Sequence, residues 1–303
     1  MIRPHSVKTE HTGLPHSPAV RHYRGSIFMS IADDIFIKTC RDILENGSSD
    51  EDCEVRPRWE DGTPAHTVRK FGVINRYNIA EEFPLMTLRR TYYRSAIDEI
   101  LWIYQKKSNR VAELSSHIWD AWADENGTIG KAYGYQLGIK HKYKEGEFDQ
   151  VDKVLYDLKH NPSSRRILTN IYNHADLHEM QLAPCAYSLT LNVTGNRLNA
   201  ILNQRSQDML AASNWNVCQY AALVIMFAKA SGLEAGELVH VIADAHIYDR
   251  HIDIVKRLIE KEPYPAPKMT VEPLTDFYAF TKDSFTAENY QYHEFNEKFP
   301  VAI

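Results

Sequence analysis

The sequence lacks any apolar run long enough to cross a membrane as a helix, any CxxC pair, any positive excess, and any proline- or glycine-rich linker dividing it in two. Each absence excludes a class. A helical span needs about 20 predominantly apolar residues. The four cysteines, Cys40, Cys53, Cys185 and Cys218, are irregularly scattered, which suits a reducing compartment better than a disulfide framework or a zinc site, so the expected location is cytoplasmic. A net charge of -5 excludes a general nucleic-acid binder, and an anionic ligand would have to be held by a local group of arginines. What remains is a chain of 303 residues, 44% hydrophobic and 25% charged, which can bury a substantial core. Residues 1–26 mix histidine, proline, serine and scattered charge without an apolar stretch, and are expected to form a flexible extension rather than a secretory signal.

The most informative stretch runs from Leu182-Ala183-Pro184-Cys185 through two alternating apolar runs to Gln204-Arg205-Ser206-Gln207-Asp208. Leu189, Leu191 and Val193 alternate with polar residues, Thr194-Gly195-Asn196 supplies a turn, and Leu198, Ala200 and Leu202 alternate on the return, which predicts a hairpin. A turn centred on Gly195 puts Cys185 opposite Arg205, with Cβ atoms roughly 5 Å apart. A cation beside a thiol favours the thiolate, so the spacing points to an activated nucleophile.

Elsewhere the patterns predict helices from Ser30 to Asn46, around Ile97, Ile100, Leu101 and Tyr104, around Val151 to Leu158, over the nearly all-apolar Val217 to Ala230, and around Ile252 to Ile259. Strands are expected after Arg165-Arg166 and over Leu238 to Ile242. Several polar residues admit two readings. The Arg56 loop is either a solvated turn or an anion clamp, and Arg165-Arg166 either bind phosphate bidentately or make surface ion pairs. Glu99, at the margin of an apolar stripe, is either exposed or drawn inward as a proton handler. Trp119 and Tyr133 are either core or stacking surfaces for a flat ligand. Asn216 either caps the apolar helix or reads a pyrimidine edge with its amide. Asp244, His246 and His251 fit no zinc spacing, and hydrogen bonding to a ligand is the better reading; no metal is expected.

Taken together, Pro184-Cys185, Gln204-Arg205-Ser206 with Asp208, Asn216 before the buried helix, Asp244 with His246 and Tyr248, Trp119-Asp120 with Trp122, Ser164-Arg165-Arg166, and the Pro300-Val301-Ala302-Ile303 ending resemble the thymidylate synthase family. The likeness covers Ile31 to Ile303. It implies an α+β fold, a single domain over residues 27–303 whose mixed, kinked sheet is covered by helices and packs against its counterpart in a homodimer. It also implies methylation of dUMP at C5 by 5,10-methylenetetrahydrofolate, which becomes dihydrofolate. By the same resemblance Cys185 is the thiolate that adds to C6, and Glu99 and Tyr133 handle protons. Arg56, Arg205 and Ser206 hold the phosphate, with Arg165 and Arg166 reaching in from a second subunit. Asn216 reads uracil, His246 and Tyr248 hold the ribose hydroxyl, and Trp119, Asp208 and the Ile303 carboxylate face the folate.

The family pattern is not followed everywhere. Ala186 stands where many members have histidine, Ala212 and Ala243 where glycine is common, and Arg89 where lysine is common near the folate. The nearest rival implied is a pyrimidine nucleotide 5-hydroxymethylase acting on dUMP or on CMP or dCMP with the same folate; Asn216 favours uracil over cytosine. A catalytically silent nucleotide-binding homologue is the other alternative, against which the intact Cys185, Glu99, Tyr133 and arginines speak.

Overall fold

Local chemistry sets the element boundaries. In the computed structural model, which describes residues 29–302, the Ser30 hydroxyl accepts the Ala32 N–H and starts α1 (Ile31–Asn46), which Gly47 ends by donating to the Ile43 carbonyl. The expected extension over residues 1–26 and the Ile303 carboxylate lie outside the described residues. A short β1 (Ser48–Ser49) precedes β2 (Thr67–Asn78), and α2 (Tyr93–Tyr104) follows with Ile97, Ile100, Leu101 and Tyr104 buried as their spacing requires. Glu99 is buried on the same helix.

Next come α3 (Gly134–Gly138), the small hairpin β3 (His141–Tyr143) and β4 (Gly146–Phe148), α4 (Gln150–His160) capped by Asp149, and β5 (Ile167–Asn170). The central hairpin is β6 (Ala186–Thr194) and β7 (Arg197–Gln204), with β8 (Gln207–Asp208) just beyond it. After α5 (Ser213–Ala230) and β9 (Glu234–Tyr248) the chain closes with α6 (Ile252–Ile259), β10 (Lys268–Val271) and β11 (Phe285–Glu288).

The main sheet has the order β1-β2-β9-β7-β6-β5, with β8 also paired to β9. It is mixed, because β7 and β8 run parallel to β9 while the other neighbours are antiparallel. Register shifts at Ala186/Ser188 and at Leu198/Ala200 bend it, which is the expected kink. Helices α1, α2 and α5 cover one face; α5 is buried nearly all round, and Gly232, at φ +70°, turns the chain after it into β9. The opposite face keeps an apolar row open to solvent: Ile74, Ile201 and Leu168, which pair with Val241, Val239 and Thr190 across the strands. No helix among the described residues is long and apolar enough to cross a membrane.

Candidate active site

The hairpin turn is shorter than the sequence suggests. Thr194 pairs with Arg197, so the loop is the two residues Gly195-Asn196, with Gly195 at φ +62° as a tight hairpin turn requires. That register alone would leave Cys185 opposite residue 206. The extra residue at Tyr187, where the register shifts between Ala186 and Ser188, moves it back by one, and Arg205 donates its backbone N–H to the Cys185 carbonyl at 2.9 Å. The expected pairing is therefore present, produced by a bulge rather than by the turn.

Arg205 is fixed on the loop that carries the thiol: Nε donates to the Pro184 carbonyl at 3.0 Å and Nη2 to the Ala183 carbonyl at 2.7 Å, and Nη2 lies 3.7 Å from Cys185 Sγ. Its Nη1 group has no partner among the described residues, which leaves a charged donor pair for an anion. Burial raises the Cys185 thiol above its ordinary range, and Arg205 pulls against it without reversing the shift. The arginine thus favours the thiolate, as its place beside the thiol implies, while burial opposes it.

Two groups meet at Cys185. On one side, the Cys185 N–H approaches the Tyr133 hydroxyl at 3.4 Å. Tyr133 sits at φ +48°, ψ -110°, a backbone state that costs a non-glycine residue energy and that the surrounding structure must hold. Its phenol is pushed up by burial, with the charges of Cys185 and Glu99 adding to the shift. Glu99 is drawn inward: it accepts the Trp119 indole N–H at 3.0 Å and the Trp215 indole N–H at 2.6 Å. Burial raises its carboxyl to about 6, with the two indoles and Gln219 opposing the shift. Trp119 is itself buried, edge-on to Tyr133 with ring centroids 5.0 Å apart.

On the other side stand Tyr248, Asp208, Arg56 and Asp244. Burial pushes the Tyr248 phenol up to about 12, Asp208, Asp244 and Cys185 add to that, and the Arg56 guanidinium lowers it. His246 Nδ1 lies 2.8 Å from Asp244 Oδ1, which makes Nδ1 the protonated nitrogen and leaves Nε2 an acceptor for a hydroxyl. Asp208 accepts the N–H groups of Leu210 and Ala211, and His251 Nδ1 lies 3.8 Å away, an ion-pair distance. Burial opposes the Asp208 charge, yet His251 and the Ala211 N–H outweigh it and hold the carboxyl below its usual range. His251 Nε2 donates to the Pro300 carbonyl at 2.8 Å, so the C-terminal segment is anchored beside Asp208.

Asn216 does not cap its helix. The helix begins at Ser213, four residues before the expected Val217, and Asn216 lies in its first turn, accepting from Gln204 Nε2 at 3.2 Å and donating to Gln219 Oε1 at 3.0 Å. Ser206 is half-buried beside it in the chain from Arg205. Arg165 and Arg166 are not in this cluster; they are exposed, on the wall of a cavity of ≈ 760 Å³ that also includes His141, Lys144 and Lys153. Ala212 has φ -121° and ψ -10°, ordinary angles for alanine, so the loss of a glycine there costs no strain. Reading the sequence missed the Trp215 contact with Glu99; the signal available was an indole next to a buried helix, whose N–H needs a partner. Among the described residues no group of three or more histidine, cysteine, aspartate or glutamate side chains could hold a metal ion.

The family pattern described as thymidylate synthase matches residues 34–303. The chain is 44% identical over 269 residues to the thymidylate synthase of Bacillus phage phi3T, covering 87% of this chain and 96% of that one. It is 43% identical over 281 residues to the thymidylate synthase of Bacillus licheniformis, covering 91% of this chain and all of that one. Among solved structures, thermostable thymidylate synthase A from Bacillus subtilis superposes with a TM-score of 0.85 at 41% identity, over 89% of this chain and 99% of that chain. The bulged hairpin with its cysteine and arginine, and the folded sheet that carries it, thus stand in a chain that belongs to the thymidylate synthase family.

Proposed function

We propose that Cys185 is the nucleophile of a thymidylate synthase reaction carried out at this site, in which dUMP is methylated at C5 and 5,10-methylenetetrahydrofolate is converted to dihydrofolate. The observation that carries this reading is Cys185 Sγ 3.7 Å from a loop-anchored arginine, with Tyr133 and the Glu99 carboxylate on the same side. The folate supplies the one-carbon unit and the hydride that completes the methyl group. The protein's part is to add Cys185 to C6 of the uracil, which makes C5 nucleophilic, and to leave C6 again when the methyl group is complete.

Arg205 ties the two ends of the nucleotide together. Its uncommitted Nη1 pair serves the phosphate, and its Nη2 faces the thiol, so phosphate binding and the thiolate are coupled through one side chain. Arg56 and Ser206 complete the phosphate site on this chain. His246 Nε2 accepts the ribose hydroxyl, and Tyr248 packs edge-on against that imidazole at 5.1 Å. Asn216 offers one N–H and one lone pair to the uracil edge. Glu99, whose carboxyl titrates at about 6, is poised to take and return a proton near neutrality, with Tyr133 beside the C5 position. A flat pterin fits the aromatic wall of Trp119 and Tyr133, Asp208 offers an acceptor, and the segment ending at Ile303 closes over it to exclude water.

A second copy of the chain completes the site. The open apolar row of Ile74, Ile201 and Leu168 supports burial against an identical sheet, and exposed Arg165 and Arg166 then supply two further cations to the partner's phosphate. The catalytic domain is taken to span residues 27–303, in the cytoplasm. Mass analysis of the nucleotide product tests the reaction: purified protein with dUMP and 5,10-methylenetetrahydrofolate yields thymidylate and dihydrofolate in equal amounts. A hydroxymethyl nucleotide with tetrahydrofolate, or nucleotide binding without turnover, would overturn it.

A further inference from the structure

A buried line of amides runs behind Asn216, and it ends on a histidine far from any substrate contact. His240, on the covered face of β9, places Nε2 2.8 Å from Gln204 Oε1. Gln204 Nε2 donates both to the Ser206 carbonyl at 2.9 Å and to Asn216 Oδ1 at 3.2 Å. Asn216 Nδ2 donates to Gln219 Oε1 at 3.0 Å, and there the line ends, because Gln219 Nε2 is buried with no hydrogen-bond partner among the described residues.

The directions in this line are forced. A backbone carbonyl can only accept, so the Gln204 atom facing Ser206 is its NH₂ group. Gln204 Oε1 then points to His240 and must receive a proton there, so His240 carries its hydrogen on Nε2 and leaves Nδ1 as an acceptor. Burial lowers His240 to about 3, so the ring is neutral and a single tautomer is in question. Nδ1 borders a cavity of ≈ 10 Å³ together with Gln207 and Ser213, whose buried polar atoms likewise have no protein partner among the described residues. A space of that size, with those donors, holds about one water molecule, and a water that donates to Nδ1 fixes the same tautomer.

We propose that His240 is a positioning residue for nucleobase specificity: its Nε2–H tautomer, passed through Gln204, locks the Asn216 amide in the orientation that accepts N3–H and donates to O4 of uracil. This rests on the reading of Asn216 as the base-reading residue. Cytosine presents the reverse pattern, an acceptor at N3 and a donor at N4, and would need the Asn216 amide flipped. A flip sets Asn216 Nδ2 against Gln204 Nε2, two donors, and Oδ1 against Gln219 Oε1, two acceptors. Gln219 Nε2 has no hydrogen-bond partner among the described residues, so Gln219 can turn to relieve its contact; the clash that remains is the one with Gln204, whose orientation the Ser206 carbonyl and His240 fix. Exclusion of cytosine thus lies in the line behind Asn216 as well as in Asn216 itself.

The test uses the full-length chain and compares equilibrium binding of dUMP and dCMP. His240→Leu removes the Nε2–H at similar volume and lowers the preference for dUMP on the order of tenfold. His240→Gln, whose amide N–H occupies about the place of Nε2–H, restores most of it. A folded His240→Leu protein that weakens both nucleotides equally and keeps the wild-type preference would overturn the proposal. Should that variant not fold, the tautomer decides: ¹⁵N chemical shifts of histidine-labelled wild-type protein, assigned by the signal lost in His240→Gln, show a neutral Nε2–H ring, and an Nδ1–H ring rejects the proposal. Wild-type protein that prefers neither nucleotide sinks the parent reading of Asn216 and the relay with it, whereas an intact wild-type preference that His240→Leu does not change sinks the relay alone.

Discussion

Cys185 and Cys218 are the same residue in two regions of the molecule, and burial raises both thiols. Cys218 lies wholly inside α5, faces the Pro84 carbonyl at 3.4 Å, and has no cation to oppose the shift. Cys185 stands half-buried at the open end of the hairpin, with Arg205 held beside it by two loop carbonyls. A matching pair of carboxyls sharpens the contrast. Asp33 and Glu99 are both buried and both raised, mainly by burial. Asp33 receives the Thr87 N–H and hydroxyl and the Leu88 N–H, all from one loop that it ties to α1. Glu99 receives indole N–H groups from two separate elements and faces Tyr133. Burial alone therefore does not make a reactive group; access and a preset countercharge or donor pair do.

Replacing the reactive member of each pair should have effects its silent counterpart does not share. The largest is expected for Cys185→Ala, which abolishes turnover and leaves dUMP binding within about threefold, since the side chain acts in bond formation more than in binding. Single-turnover assays beside equilibrium binding check this, and substantial remaining activity would reject Cys185 as nucleophile. Next, Glu99→Gln lowers kcat by about 10²–10⁴-fold, the usual range for loss of a positioned acid–base group.

A smaller effect follows from Trp215. The Glu99 carboxylate is protonated as pH falls through about 6, so the acid limb of kcat lies there. The Trp215 N–H favours the charged form, and removing it in Trp215→Phe raises the carboxyl further, moving that limb up by about one pH unit. A limb that stays in place would remove Trp215 from the account. Smallest on activity is Cys218→Ala, which costs about 1 kcal/mol in urea unfolding through the atoms lost from a packed core and keeps kcat within about twofold.

How legible the chain is depends on how local the determining chemistry is. The helices at Ile31, Tyr93 and Ile252 can be read from apolar spacing, the first also from its Ser30 cap and Gly47 stop, and the central hairpin from its alternation. The long strand Thr67–Asn78 cannot: Gly72 and the charges of Arg69, Lys70 and Arg76 interrupt its pattern, and its partner lies far along the chain in Glu234–Tyr248. That second strand is also longer than the Leu238–Ile242 segment expected, because Glu234 and Glu237 at its start and Asp244 and His246 near its end break the apolar run while their backbones still pair with β2 or β7. In the site, Cys185 beside Arg205 follows from counting, although the bulge that makes the count work does not. The amide line from His240 to Gln219 joins residues on β9, β7 and α5, and nothing in their spacing announces it.

The contrast between the two cysteines has a direct measurement. Native protein is treated with iodoacetamide, with and without dUMP, and the modified peptides are mapped by mass while activity is followed. Cys185 and the exposed Cys53 should be labelled and Cys40 and Cys218 spared; dUMP should protect Cys185 alone, and loss of activity should track its modification one for one. Inactivation that tracks Cys53 or Cys218 while Cys185 stays unmodified would contradict the assignment of the nucleophile.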